Sequence, residues 1–109
     1  MNLELVSLMS EYQRKKCRTF FSIQKTGDFI YAGHLKSKLC INIKEAYLIL
    51  EELKRMGYLK TIYEVYCSCG HSKGIFLESI TDFDTDWCCD WCNRNLNPME
   101  DIIVLYKVV

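Results

Sequence analysis

YCSCGHSKGIFLESITDFDTDWCCDWC, residues 66–92, carries five of the chain's seven cysteines. Four of them form two tight pairs, Cys67-Ser68-Cys69-Gly70 and Cys89-Asp90-Trp91-Cys92, and nineteen residues separate Cys69 from Cys89. That gap is long enough for two strands and a loop. Two close cysteine pairs at such a distance are the sequence sign of one tetrahedral structural zinc site, because zinc takes four thiolate or imidazole ligands at fixed angles. The expected ligands are Cys67, Cys69, Cys89 and Cys92. The first pair is Cys-x-Cys, one residue shorter than usual, so His71 in place of Cys67 or Cys69, and Cys88 in place of Cys89, stay open as alternatives. Four cysteines close the coordination shell, which points to a structural metal, since a catalytic zinc keeps one position open.

Working outward toward the N-terminus, residues 58–66 are rich in β-branched and aromatic side chains and read as a strand leading into Cys67. Before it, a helix is expected over 44–56, with Ala46, Ile49, Leu50 and Leu53 facing inward. Asn42 and Glu45 supply its N-terminal cap and Gly57 its stop. Residues 33–39 make a shorter helix with Leu35 and Leu39 on one side, and 29–31 a short extended segment. A first helix is expected over 3–16, capped by Asn2, with Leu5, Leu8, Met9 and Tyr12 on one face. Residues 17–23 either extend it or turn away.

On the C-terminal side, 74–80 and 101–108 read as strands and 82–86 as a solvated acidic loop. Asp82, Asp84 and Asp86 alternate as in a calcium loop but lack the following glycine and distal glutamate that such a loop requires. Cys17 and Cys40 lie among apolar residues and read as small core side chains. Of Trp87 and Trp91, which flank the second pair, one is expected over the metal site; an exposed one would mark a contact surface.

The segment FIYAGHLKSKLCINIKEAYLILEELKRMGYLK, residues 29–60, resembles a winged helix-turn-helix core: short strand, second helix, tight turn, capped third helix, then Gly-Tyr-Leu entering the wing. The order strand, knuckle, strand, loop, knuckle, strand that follows resembles a zinc ribbon. The expectation is therefore an α+β chain, with a winged helix-turn-helix over 1–66 continuing into a small antiparallel zinc ribbon over 67–109 and sharing the strand at 58–66.

Half of the 109 residues are apolar and 13% aromatic, enough for a compact core. The net charge of zero conceals an asymmetry: residues 1–66 hold eleven Lys/Arg against seven Asp/Glu, and 67–109 hold three against seven. No apolar run approaches the roughly 20 residues that span a bilayer, so no membrane partner is expected. The charges of MNLELVSLMSEYQRKK follow its apolar stretch, unlike those of a signal peptide, and a cytoplasmic location is expected. No Ser/His/Asp set, phosphate-cradling glycine loop or His/Glu metalloprotease motif is present, and the chain reads as non-enzymatic.

The winged-helix resemblance implies nucleic-acid binding, with DNA as the partner and Lys36, Lys38, Lys44, Lys54, Arg55 and Lys60 as phosphate contacts, and with Arg14-Lys15-Lys16 and Arg18 as further basic residues nearby. Against it, Glu45, Glu51 and Glu52 lie on the outward face of the third helix. The alternative is a protein–protein adaptor built on the same fold, using Tyr47, Leu48, Tyr63, Tyr66 or an exposed tryptophan, with a homodimer through the N-terminal helix as a further arrangement.

Overall fold

The computed structural model describes residues 10–109. The described residues form α1 (Glu11–Ser22), β1 (Phe29–Ile30), α2 (Ala32–Leu39), α3 (Ile43–Arg55), β2 (Leu59–Tyr66), β3 (Ser72–Leu77), a 3-10 turn (Ile80–Asp82) and β4 (Ile102–Val108). The strands make one four-stranded antiparallel sheet in the order β1-β4-β2-β3. The chain divides into two compact units. One holds the three helices and β1 as far as Lys60, together with Tyr106–Val109; the other is Thr61–Leu105.

In the helical unit, α1 starts at a capping box. Ser10 Oγ accepts the Gln13 N–H (3.2 Å) and Gln13 Oε1 accepts the Ser10 N–H (3.1 Å). This Ser-x-x-Gln start places the helix later than the expected 3–16, and residues 17–22 extend it. Its buried residues are Cys17, Phe20 and Phe21, at helical spacing, whereas Tyr12, expected on the inward face, is 65% exposed. Asn2, Leu5, Leu8 and Met9 lie outside the described residues.

α2 begins at Ala32, one residue earlier than expected, and ends at Cys40, which adopts the left-handed conformation at φ 54°. Cys40 is therefore an exposed helix terminator and not the core side chain its neighbours suggested, while Cys17 is fully buried. Desolvation pushes the Cys17 thiol up to about 12.

The expected 44–56 helix forms as Ile43–Arg55, with Ala46, Ile49, Leu50 and Leu53 all buried. Ile49, Leu50 and Leu53 each contribute roughly 1.5–3 kcal/mol on leaving water. Asn42 Oδ1 accepts the Glu45 N–H (2.8 Å), and the reciprocal bond runs from Asn42 Nδ2 to Glu45 Oε1 (3.1 Å). At the other end Gly57, at φ 87°, donates to Lys54 O (2.9 Å) and Tyr58 to Leu53 O (3.0 Å), a Schellman termination. Tyr106 of β4 is fully buried and its hydroxyl donates to Glu51.

In the second unit β2 pairs antiparallel with β3, Tyr63 opposite Leu77 and Tyr66 opposite Ser72, with a register shift between Glu64 and Tyr66. β3 runs Ser72–Leu77 and not 74–80: Gly74 at φ 77° is absorbed within the strand beside that irregularity, and Ser79 instead caps the 3-10 turn. The small core consists of Val65, Cys67, Phe83, Cys89 and Leu96, with Ile75, Leu77, Trp87 and Ile102 packed against it. Asp82, Asp84 and Asp86 are exposed, and Asp84 Oδ1 accepts the Asp86 N–H (2.8 Å).

Candidate functional site

Each cysteine pair lies on a tight turn closed by a left-handed residue directly after its last cysteine. In the first, Gly70 is at φ 100°, its N–H reaches Cys67 O (2.9 Å), and Cys67 N–H bonds His71 O (2.9 Å). In the second, Asn93 is at φ 63°, its N–H reaches Cys89 O (3.0 Å), and Cys89 N–H bonds Arg94 O (2.9 Å). Gly70 thus corresponds to Asn93 and His71 to Arg94. The missing residue of the first pair is removed from the middle of the turn, leaving the closure unchanged.

The two turns bring four sulfurs together. Cys67 Sγ is 3.6 Å from Cys92 Sγ, Cys69 Sγ is 3.6 Å from Cys89 Sγ, and all four lie within 4.8 Å of one another. Four thiolates around one zinc at about 2.3 Å place their sulfurs roughly 3.8 Å apart at tetrahedral angles. The cluster is near enough to hold one metal ion, and its soft donor set suits zinc. No other residue joins the group among those described: Cys88 Sγ turns away to Asn95 Oδ1 (3.0 Å), and His71 Nδ1 lies 3.5 Å from Cys69 Sγ on the exposed side.

One cysteine of each pair, Cys67 and Cys89, is buried and extends the unit's core, while Cys69 and Cys92 face solvent. The four thiols are shifted in opposite directions. Cys67 and Cys89 are lowered, whereas desolvation pushes Cys69 up to about 12. Cys92 is raised, the Arg94 N–H that lowers it being outweighed by its hydrogen bond with Cys67 and by burial. Cys67 Sγ accepts the Cys69 N–H (3.5 Å), which chiefly draws that thiol down to about 6. The N–H groups of Cys92 and Trp91 lower Cys89 in the same way.

Two residues that sequence reasoning missed connect these turns. Asp101 has no solvent exposure, and its carboxylate accepts the Asn97 N–H (2.7 Å), the Ser68 N–H (3.3 Å) and an Arg94 ion pair. Arg94 also donates to Ser68 Oγ (3.0 Å) and lies 3.7 Å from Cys67 Sγ. Burial alone would raise the Asp101 carboxyl. The Asn97 N–H, the Arg94 guanidinium and the Ser68 N–H outweigh it and hold the carboxyl below its ordinary value. An acidic residue opening an apolar strand, Asp101 before Ile102-Ile103-Val104, was the available signal.

The two tryptophans part company. Trp87 packs into the core, edge-on to Phe83 with centroids 5.2 Å apart. Trp91 is 71% exposed and stacks on His71 at 4.4 Å and 17°. Below that pair, Lys73 Nζ holds Asp90 Oδ1 at 2.7 Å.

The expected phosphate contacts lie in the helical unit. Lys36 and Lys38 are exposed in the last turn of α2, Lys44 is exposed in the first turn of α3, and Lys60 is half-buried in β2. Lys54 and Arg55 are exposed, but each is paired within α3: Lys54 with Glu51 at 3.5 Å and Arg55 with Glu52. No described helix is long and apolar enough to cross a membrane. No family model matches the chain, and neither a curated protein nor a solved structure matches it.

Proposed function

We propose that the chain is a non-enzymatic nucleic-acid-binding protein, a winged helix-turn-helix continuing into a zinc ribbon whose four cysteines hold one structural zinc. The observation that carries the metal reading is the set of four sulfurs within 4.8 Å, built on two turns with the same closure. Cys67, Cys69, Cys89 and Cys92 are the ligands. Bound zinc would supply a cross-link between the turns beside a cluster of only five buried side chains, two of them Cys67 and Cys89 themselves. Elemental analysis tests it: one equivalent of zinc is expected, and less than about half an equivalent, with no loss of fold on chelation, rejects it.

The nucleic-acid reading rests on the cationic excess of the N-terminal half and on the order of helices and strand over 29–60. Titration of random duplex DNA across a salt series tests it. A steep log–log slope supports it, and no binding at low salt rejects it. One observation favours the adaptor reading instead: Trp91, a large aromatic side chain stacked on His71, is 71% exposed beside the cysteines. Loss of a protein partner on Trp91→Ala, with DNA binding absent, is the result that reading expects.

A further inference from the structure

In winged helices the third helix is the expected reader of DNA, but the charges of this chain place the phosphate-binding surface elsewhere. We propose that duplex DNA is held by its phosphates at the hollow between α1 and α2, through Lys15, Lys16 and Lys38, and not along α3. This rests on the nucleic-acid reading above and names the surface that would carry it.

The first observation is the distribution of charge. Residues 10–40, which contain α1 and α2, carry seven Lys/Arg against two Asp/Glu. Residues 41–60, which contain α3, carry four against three. The excess that makes the N-terminal half cationic therefore lies almost wholly ahead of α3.

The second observation is pairing. The two basic residues of α3's last turn lie against Glu51 and Glu52. At physiological salt the Debye length is about 8 Å, so a cation beside its own carboxylate presents little net field to a phosphate. Such exposed pairs are worth only about 0–1 kcal/mol and can be broken. Breaking them leaves two carboxylates on the same surface, however, which a phosphate would meet at once. Glu51 is moreover held in place by the Tyr106 hydroxyl.

Lys15, Lys16 and Lys38 form no ion pair among the described residues, and Glu11, one turn before Lys15 on α1, is the one acidic residue of that helix. Lys16 sits over the Tyr12 ring at 5.6 Å, a contact that leaves its charge uncancelled.

The third observation is shape. Lys16 and Lys38 line one hollow of about 260 Å³ with Thr19, Phe20 and Ile23. Lys15 and Lys16 line an adjoining one of about 380 Å³ with Tyr12 and Thr19. The two share Lys16 and Thr19, so the three lysines border adjoining hollows, while the Thr19 hydroxyl donates to Lys15 O (3.1 Å). Ammonium groups along a concave track are what a row of phosphates requires.

The test compares two variants of the full-length zinc-loaded chain against random duplex DNA in a salt series. These are Lys15→Ala/Lys16→Ala/Lys38→Ala and Lys54→Ala/Arg55→Ala, each checked for unchanged circular dichroism and metal content. Each phosphate contact contributes about 0.9 to the log–log slope, so the triple variant should lose roughly 2–3 from it and bind at least tenfold more weakly. The α3 variant should change affinity less than about threefold. The reverse pattern would overturn the assignment while leaving DNA binding intact. No binding by the unaltered protein at low salt would instead remove the nucleic-acid reading itself. If polyglutamate displaces DNA at equal charge concentration, with the same lysine dependence, the surface belongs to an acidic protein and the assignment to DNA falls.

Discussion

Arg94 and Asp101 form an ion pair in which the carboxylate is wholly buried and the guanidinium side chain keeps 38% of its exposure. The same Arg94 Nη2 reaches Ser68 Oγ and Cys67 Sγ, and Asp101 also accepts the backbone N–H groups of Ser68 and Asn97. One pair of side chains thus ties the first cysteine turn to the segment after the second. It also places a positive charge beside a cluster that four thiolates and one divalent ion would leave at −2.

Arg94→Ala should therefore destabilise the chain by about 2–3 kcal/mol, somewhat below the cost of breaking a fully buried pair because Arg94 is partly solvated. It should also weaken zinc affinity about 10–100-fold, as loss of a group supporting a metal ligand does. Denaturant titration and competition with a chelator of known affinity read the two effects separately.

The Asp101 carboxyl is held below its ordinary value in the folded chain, so its ionised form stabilises the fold. That contribution is complete above the unfolded carboxyl value of about 3.9 and is lost as pH falls through the lower folded value. The stability gap between the unaltered chain and Asp101→Asn should stay constant from pH 7 to about 5 and narrow only below about pH 4. Denaturant titrations at several pH values check this; a gap that closes near neutrality would contradict it.

Cys92→Ser should unfold Thr61–Leu105 while leaving α3 largely protected, because the second unit has so few buried side chains of its own. Hydrogen exchange should show fast amides across β3 and slow ones at Ile49, Leu50 and Leu53, which are buried in the helical unit. Chelation of the unaltered protein should reproduce that pattern.

The tryptophans should behave as opposites. Trp87→Ala removes a partly buried side chain packed on Phe83 and should cost about 2–3 kcal/mol. Trp91→Ala should cost less than about 1 kcal/mol, since it loses only an exposed stack on His71. Acrylamide should quench the fluorescence of Trp91 and leave that of Trp87 largely intact.

Cys40 holds a left-handed conformation that glycine adopts without steric cost. Cys40→Gly should raise stability by up to about 1 kcal/mol, the relief of strain being partly offset by the greater freedom of glycine in the unfolded chain. A thermal melt showing a clear loss of stability would contradict this.

α3 was legible because three independent local signals agree on it: the spacing of Ala46, Ile49, Leu50 and Leu53, the Asn42–Glu45 cap, and Gly57 at the stop. The described part of the first helix, Glu11–Ser22, runs past the expected end at 16 and is opened by the Ser10–Gln13 cap, a local signal that the apolar periodicity of 3–16 does not contain. Residues 3–9 of that expectation lie outside the described residues. Cys40 was misread because cysteine is a rare terminator, and neither its neighbours nor its type announces a left-handed backbone.

The sequence by itself narrowed the cluster to Cys67, Cys69, Cys89 and Cys92, with Cys88 and His71 as the alternatives, and it determined the face that α3 buries. Tertiary structure decided the rest. It turned Cys88 toward Asn95 and away from the cluster, left His71 at its edge, and buried Asp101 against Arg94. It also set Glu51 and Glu52 against Lys54 and Arg55. The reason is range: periodicity and capping act within one or two turns of chain, whereas the neighbours of a charge or a thiol come from side-chain directions and, for Asp101 and Ser68, from segments more than thirty residues apart.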